Sequence, residues 1–295
     1  MTAVAEPRAR ARERTTTERI VRFLNKTPIH IGLALIALIW LAPTVGLLVT
    51  SFRPRSDIQV TGWWEAFTQF RFTLNNYTEV LQSQGLLQAF INTVIIAVPS
   101  TLIPLTLASM AAYAFSWLSF PYRDGLFLLV VALLMIPVQV SFIPLLKLFA
   151  PTGLLNSFGA IWLTHTAFAL PFGIFLLRNF FITLPRDLIE AARIDGTSGV
   201  GIFRQIVVPL SVPAIAAYGI FQFLWVWNDL LMALVFVQRG DSWPMTKAIQ
   251  NLLSQYGTEW HLLSAGAFIL MAVPLIVFFS LQRFFVQGLL AGSVK

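Results

Sequence analysis

Residues 86–117 read LLQAFINTVIIAVPSTLIPLTLASMAAYAFSW, 32 consecutive positions without an Asp, Glu, Lys or Arg. The hydrocarbon core of a bilayer is about 30 Å thick, and a helix crosses it in roughly 20 residues. The run is long enough to cross with turns to spare. In hydrocarbon every backbone N–H and C=O must be satisfied within the segment, which a helix achieves alone. A barrel strand would alternate polar and apolar residues, and this run does not. It reads as one transmembrane helix.

Five further apolar stretches resemble it: residues 29–52, 125–149, 157–177, 205–228 and 261–281. None contains an acidic residue, and Lys147 is their only Lys or Arg. The whole chain agrees. Its 295 residues are 57% hydrophobic and 11% charged, whereas soluble domains carry about 25% charged residues. Too little polar surface is available to face water. The sequence predicts an all-α integral membrane protein with six transmembrane helices. The first stretch follows a basic flank as a signal peptide does, but it is too long and lacks a convincing small-residue cleavage site, so it reads as a retained anchor.

Six crossings put both termini on one side, and the basic residues choose the side. Arg8, Arg10, Arg12, Arg14, Arg19, Arg22 and Lys26 precede the first run. Arg123, Arg178, Arg186, Arg193, Arg204, Arg283 and Lys295 share their side, whereas Arg53, Arg55, Arg71, Arg239 and Lys247 lie on the other. Cytoplasmic loops carry the excess of positive charge, which gives an N-in, C-in orientation in a bacterial-type inner membrane. Residues 1–27 are expected to be a disordered basic cytoplasmic tail, with residues 28–295 forming the membrane domain. The net charge of +7 is then an orienting signal in contact with membrane lipid, and not a nucleic-acid surface. Cysteine is absent, which excludes disulfides, thiolate metal sites and cysteine nucleophiles.

Two outer connections are substantial. Residues 53–85 carry Trp63, Trp64, Phe67, Phe70, Phe72 and Tyr77, suited to anchoring at headgroup depth. Residues 229–260 include an apolar patch at 230–237, too short to span and read as re-entrant or partner-facing.

The connection between the fourth and fifth stretches is the most informative segment. It reads Leu184-Pro185-Arg186-Asp187-Leu188-Ile189-Glu190-Ala191-Ala192-Arg193-Ile194-Asp195-Gly196. Pro185 suits a helix start and Gly196 a helix end. Leu188, Ala191, Ala192 and Asp195 fall at three- and four-residue spacings, where small alanines admit another protein's backbone. Glu190 and Arg193 offer charged contacts at the margin. A second helical stretch follows, with Phe203, Ile206 or Val207, and Leu210 on one face. On the cytoplasmic side, this pair has the form of a docking element.

Glu190, Ala191, Ala192, Gly196, Ile206, Val208 and Pro209 together resemble the signature loop of binding-protein-dependent ABC importer permeases, with Val208 where leucine is usual. The stretches Phe72–Tyr77, Trp227-Asn228-Asp229 and Gln282–Lys295 are similar to the carbohydrate branch, near maltose-type and α-glucoside permeases. The resemblance covers the chain from about Pro28 onward. It implies the type I importer permease fold, with residues 184–210 as the coupling loop. Within that loop Glu190, Ala191, Ala192, Arg193, Asp195 and Gly196 would meet an ATPase. It also implies a second homologous permease, two ATPase subunits holding ATP and Mg, an extracytoplasmic solute-binding protein and a sugar substrate. This chain itself would bind no cofactor and hydrolyse nothing.

The residues agree with that division of labour. No Gly-x-x-x-x-Gly-Lys-Ser/Thr loop occurs, and Gly196–Gly201 lacks the lysine. No serine sits in a nucleophile elbow. His30, His165 and His261 have no ligand spacing and read as buried polar contacts. An ion-coupled carrier would be expected to place carboxylates within the membrane, and here Asp229 lies at a span end. A permease for another solute remains the alternative. On the fifth stretch, Phe221, Trp225 and Asn228 share one helical face, and Gln222, Trp225 and Asp229 an adjoining one. Aromatic faces beside amides suit a sugar ring, but Trp225 and Gln222 would equally suit helix packing. Trp227 points away from Trp225, toward lipid. Gln139, Ser141, Thr164, His165 and Thr166 are weaker pathway candidates.

Overall fold

The computed structural model describes residues 16–82, 84–255 and 259–291. Its principal helices are α1 (Thr16–Ser51), α2 (Asn75–Gln82), α3 (Leu86–Trp117), α4 (Arg123–Leu133), α5 (Phe142–Phe149) and α6 (Phe158–Phe181). They continue with α7 (Arg186–Ile194), α8 (Gly199–Leu210), α9 (Val212–Trp227), α10 (Leu231–Phe236), α11 (Met245–Gln255) and α12 (Trp260–Ala291). Helix α1 begins inside the stretch expected to be tail. Residues 1–15 of that tail and 292–295 of the C-terminal run lie outside the described residues.

Four helices are long and apolar enough to cross a membrane: α1 over Thr27–Ser51, α3, α6, and α12 over Trp260–Arg283. The third and fifth stretches depart from the single straight helices expected. Arg123–Leu133 and Val138–Phe149 meet at 95°, and Gly199–Leu210 and Val212–Trp227 at 79°. Proline explains both places. Pro137 is extended (φ −62°, ψ 130°), has no N–H to donate, and disfavours helix at the residue before it. The end of α4 tightens instead through bonds from Leu134 to Val131 and from Ile136 to Leu133. At the second corner Ser211 leaves the helical region (φ −103°, ψ 9°), and Pro209 and Pro213 on either side each withdraw a donor. Helix α8 is therefore a separate helix turned away from α9.

Helices α3, α6 and α9 form the centre. A Cβ on Gly173 of α6 would run into the Tyr218 ring, so glycine lets α9 approach closely. The Tyr218 hydroxyl donates to the Ala169 carbonyl at 2.9 Å. Gln222 Nε2 donates to the Ser100 carbonyl at 3.1 Å, joining α9 to α3. Trp227 does not face lipid. It is 1% exposed, donates Nε1–H to the Leu270 carbonyl at 2.9 Å, meets Phe90 edge-on and packs at a tilt against Phe223. Helical spacing separated it correctly from Trp225, but α12 covers its face.

Beyond the end of α1, Arg53 is buried and donates to the carbonyls of Asp57, Thr61 and Gly62, while Asn76 Nδ2 donates to those of Ser51 and Arg53. These bonds fold the connection from α1 to α3, whose Trp64, Phe67, Phe70 and Phe72 are exposed. The apolar patch at 230–237 forms α10, whose Met232, Ala233 and Phe236 are buried within the chain. Phe236 packs edge-on against Phe142 and Phe149 at 5.8 and 5.7 Å between ring centres.

Candidate functional site: a docking helix and an aromatic cavity

Helix α7 starts after Pro185 (φ −58°, ψ 124°) and ends in a left-handed Gly196 (φ +78°). Thr197 N–H donates to the Ala192 carbonyl at 2.9 Å, and Gly196 N–H to the Arg193 carbonyl at 3.1 Å. These paired bonds satisfy the carbonyls that a helix end leaves open. A Cβ at 196 would meet nothing within 4 Å, so backbone conformation, and not space, calls for glycine. Ser198 then opens α8 by accepting from Gly201 N–H at 3.2 Å.

The faces of α7 differ from the expected division. Ile189 and Ala192 are buried in a cluster with Tyr113, Leu177, Phe181 and Val207, so Ala192 faces this chain's own core. A helix turns about 100° per residue, and the large Ile189 takes its neighbour three residues on inward with it. Arg193 is committed as well: its guanidinium donates to the Trp117 carbonyl at 2.7 Å, tying α7 to the end of α3. Glu190, Ala191, Asp195 and Gly196 stay clear of this packing, and all four are exposed. Beside them lie Leu188, 46% exposed, and Ile194, 86% exposed. The sequence reading missed Ile194, although residues 187, 190, 191 and 194 form a helical stripe.

At the 95° bend of the third stretch lies a cavity of about 450 Å³, lined by Leu133, Ser141, Phe168, Phe172, Phe221 and Trp225 among others. The structure brings only Phe221 and Trp225 of the expected fifth-stretch residues to it. Phe221 packs at a tilt against Phe172, 5.0 Å between ring centres, and meets Trp225 edge-on at 6.4 Å. Gln222 turns to Ser100 on the opposite side. Asn228 Nδ2 donates to the Leu224 carbonyl at 2.8 Å. Asp229, just beyond α9, accepts from Met232 N–H at 3.0 Å and lies 3.8 Å from His165 Nε2. Burial pushes the Asp229 carboxyl up to about 6, against the backbone N–H groups of Met232, Ala233 and Leu231 that hold it down. Phe168 and Phe172 were not singled out in the sequence, although their four-residue spacing on α6 places them on one face.

Residues 104–290, which include α6 to α10 whole, match the family described as "Binding-protein-dependent transport system inner membrane component". The chain belongs to this family. This permease is thus a non-catalytic inner-membrane component of a binding-protein-dependent transport system. It is 53% identical over 284 residues to the osmoprotective compounds uptake permease protein GgtD of Synechocystis sp., covering 95% of each chain. It is 49% identical over 257 residues to the alpha-glucoside transport system permease protein AglG of Rhizobium meliloti, covering 83% of the permease and 68% of AglG. Its fold matches a chain in the crystal structure of a bacterial ABC transporter involved in the import of the acidic polysaccharide alginate. The TM-score is 0.73 at 21% identity, over 92% of the permease and 98% of that chain.

Proposed function

We propose that this permease imports a neutral α-glucoside or glucosyl polyol across a bacterial inner membrane. Relatives named for osmoprotective compounds and for alpha-glucoside transport support that substrate class. Each bent pair counts as one crossing, giving six, with both termini cytoplasmic as the distribution of basic residues favours. The chain works beside a second homologous permease, two ATPase subunits that bind ATP and Mg, and an extracytoplasmic solute-binding protein.

The observation that carries the coupling role is the surface of α7. Leu188, Ala191 and Ile194 are exposed next to Glu190 and Asp195 on a helix pinned from behind by Ile189, Ala192 and Arg193. A rigid helix with one unpartnered face transmits displacement: closure of the ATPase pair moves α7, and the core moves with it through Tyr113 and Phe181. Alternating access follows as the two permeases rock about the pathway. Co-purification tests this. Wild-type protein should bring down an ATPase and a second permease, Ile194→Asp should lose the ATPase and keep the permease, and an ATPase retained equally by both would remove α7 from the interface.

A further inference from the structure

A proline within a helix lacks the N–H that would bond the carbonyl four residues earlier. In a membrane that carbonyl needs a donor from elsewhere, such as a neighbouring helix, and three prolines here find one. Pro99 frees the Ile95 carbonyl, which accepts from Trp162 Nε1 of α6 at 3.0 Å. Pro104 frees that of Ser100, which accepts from Gln222 Nε2 of α9 at 3.1 Å. Pro274 frees that of Leu270, which accepts from Trp227 Nε1 of α9 at 2.9 Å. Each of these weak points in α3 and α12 is fastened by a side chain of another helix.

Gln222 differs from the two tryptophans. An indole has one polar atom, its donor, and in both rings that atom is satisfied; Trp227 is also caged by Phe90 and Phe223. The Gln222 amide carries an acceptor as well. Its Oε1 is buried and bonds to nothing, and the same holds for Ser100 Oγ and Thr101 Oγ1. One acceptor and two hydroxyl donors thus lie unpaired at one junction of α3 and α9, although buried polar groups are ordinarily bonded. Beside it runs a groove of about 350 Å³, lined by Thr101 and Leu105 of α3, Ala216 and Gly219 of α9, Val208 of α8 and Val277 of α12. Small residues and open space leave α9 room to move against α3. The groove reaches the α8–α9 corner, where Ser211 Oγ is buried and unbonded too.

We propose that Gln222 is a positioning residue of the transport cycle, a latch between α9 and α3. It holds the two helices together in the present arrangement and releases the Ser100 carbonyl when movement of α7 and α8 drives α9 into the groove. In the second arrangement a hydroxyl of Ser100 or Thr101 donates to Oε1, so the amide has a partner in both. Packed interiors switch between discrete arrangements and do not deform continuously, and a polar junction beside empty space supplies two. The latch rests on the reading of α7 as the element that the ATPases move, and adds the residue that sets when α9 follows.

ATP hydrolysis by equal amounts of assembled complex, with and without the binding protein, tests the latch. Gln222→Leu should raise hydrolysis without binding protein several-fold and lower the melting temperature, because latch and carbonyl donor go together. Pro104→Ala gives α3 an N–H of its own for the Ser100 carbonyl; alone, with Gln222 still able to donate, it should stay coupled. Gln222→Leu combined with Pro104→Ala should regain the melting temperature and keep the raised hydrolysis, which separates latching from capping. Return of the double variant to tight coupling would mean that Gln222 only caps a carbonyl. Unchanged hydrolysis in Gln222→Leu, or hydrolysis raised equally by Pro104→Ala alone, would also overturn the latch. The chain has no cysteine, so Leu105→Cys with Gly219→Cys gives a second reading. A Cβ at 219 would lie 3.5 Å from the Leu105 side chain, and joining the pair with a short bifunctional thiol reagent should stop uptake. Uptake that survives the crosslink would show that α9 does not move on α3. A wild-type complex whose hydrolysis ignores the binding protein would instead remove the coupling reading, and the latch with it.

Discussion

Asp229 and Lys247 hold opposite ends of the same six-residue helix. The Asp229 carboxylate accepts from Met232 N–H at 3.0 Å at the start of α10, and the Lys247 ammonium donates to the carbonyls of Ala233 and Val237 at its end. Both charges are oriented with the helix dipole, negative at the N-terminus and positive at the C-terminus. So short a helix would not persist on its own residues, and the two side chains supply the missing partners. This end of the permease is thereby a fixed corner.

Lys247→Met should therefore loosen that corner. A hydrogen bond to a charged group is worth about 1.5–3 kcal/mol, and the substitution leaves buried carbonyls without their donor. The solubilised transporter should melt at lower temperature, and residues 238–255 should be cut faster by protease added from outside. Unchanged melting and cleavage would mean that packing of Phe236 alone holds α10.

Asp229 carries a pH signature. Its carboxyl rises from an ordinary 3.8 to about 6, chiefly through burial. The folded protein thus holds this proton more tightly than the unfolded chain does. That contribution to stability is complete below about pH 4 and is lost as pH rises through about 6. Asp229→Asn keeps the shape and removes the proton, so the difference in melting temperature between variant and wild type should change across this window and stay constant above it. A constant difference throughout would show that the folded carboxyl titrates normally.

Gly196 tests the docking turn. Gly196→Val would force a branched side chain into the left-handed region at about 1–2 kcal/mol, and asparagine tolerates that region better. Transport should fall for Gly196→Val and largely survive in Gly196→Asn, with equal membrane insertion of both. Equal transport by the two would remove the conformational argument, because a side chain at 196 has open space around it.

Trp227 belongs to the core. Trp227→Ala removes a buried ring and its bond to Leu270, and large-to-small core changes of this kind cost about 3–5 kcal/mol. The yield of assembled complex should drop sharply, and Trp227→Phe should recover much of it. Trp225→Ala, at the cavity wall, should assemble better than Trp227→Ala; the reverse order would contradict this placement of the two rings.

What the sequence disclosed follows from the kind of information each feature needs. Membrane-length runs are a matter of local composition, and Gly196 announces a helix end by its position after a periodic stretch. The two corners are less legible. Pro43, Pro99, Pro104, Pro171 and Pro274 all lie within helices, so a proline in an apolar run does not by itself mark a break. Whether the freed carbonyls are accommodated depends on neighbouring helices that lie far away in sequence. Burial of Ala192 and Trp227 is likewise a tertiary fact, since periodicity groups residues by face and does not say which face meets the body. Gln222 shows the same limit: its helical face was legible, and its commitment to Ser100 was not.

If ATP hydrolysis by partner subunits drives this permease, uptake into reconstituted vesicles shows it. Vesicles holding the permease, its partner permease and the ATPase pair, with binding protein outside and ATP inside, should accumulate a labelled neutral α-glucoside. Omitting ATP or the ATPase should abolish accumulation. Accumulation by the permease alone, driven by a proton or sodium gradient, would make it an ion-coupled carrier instead.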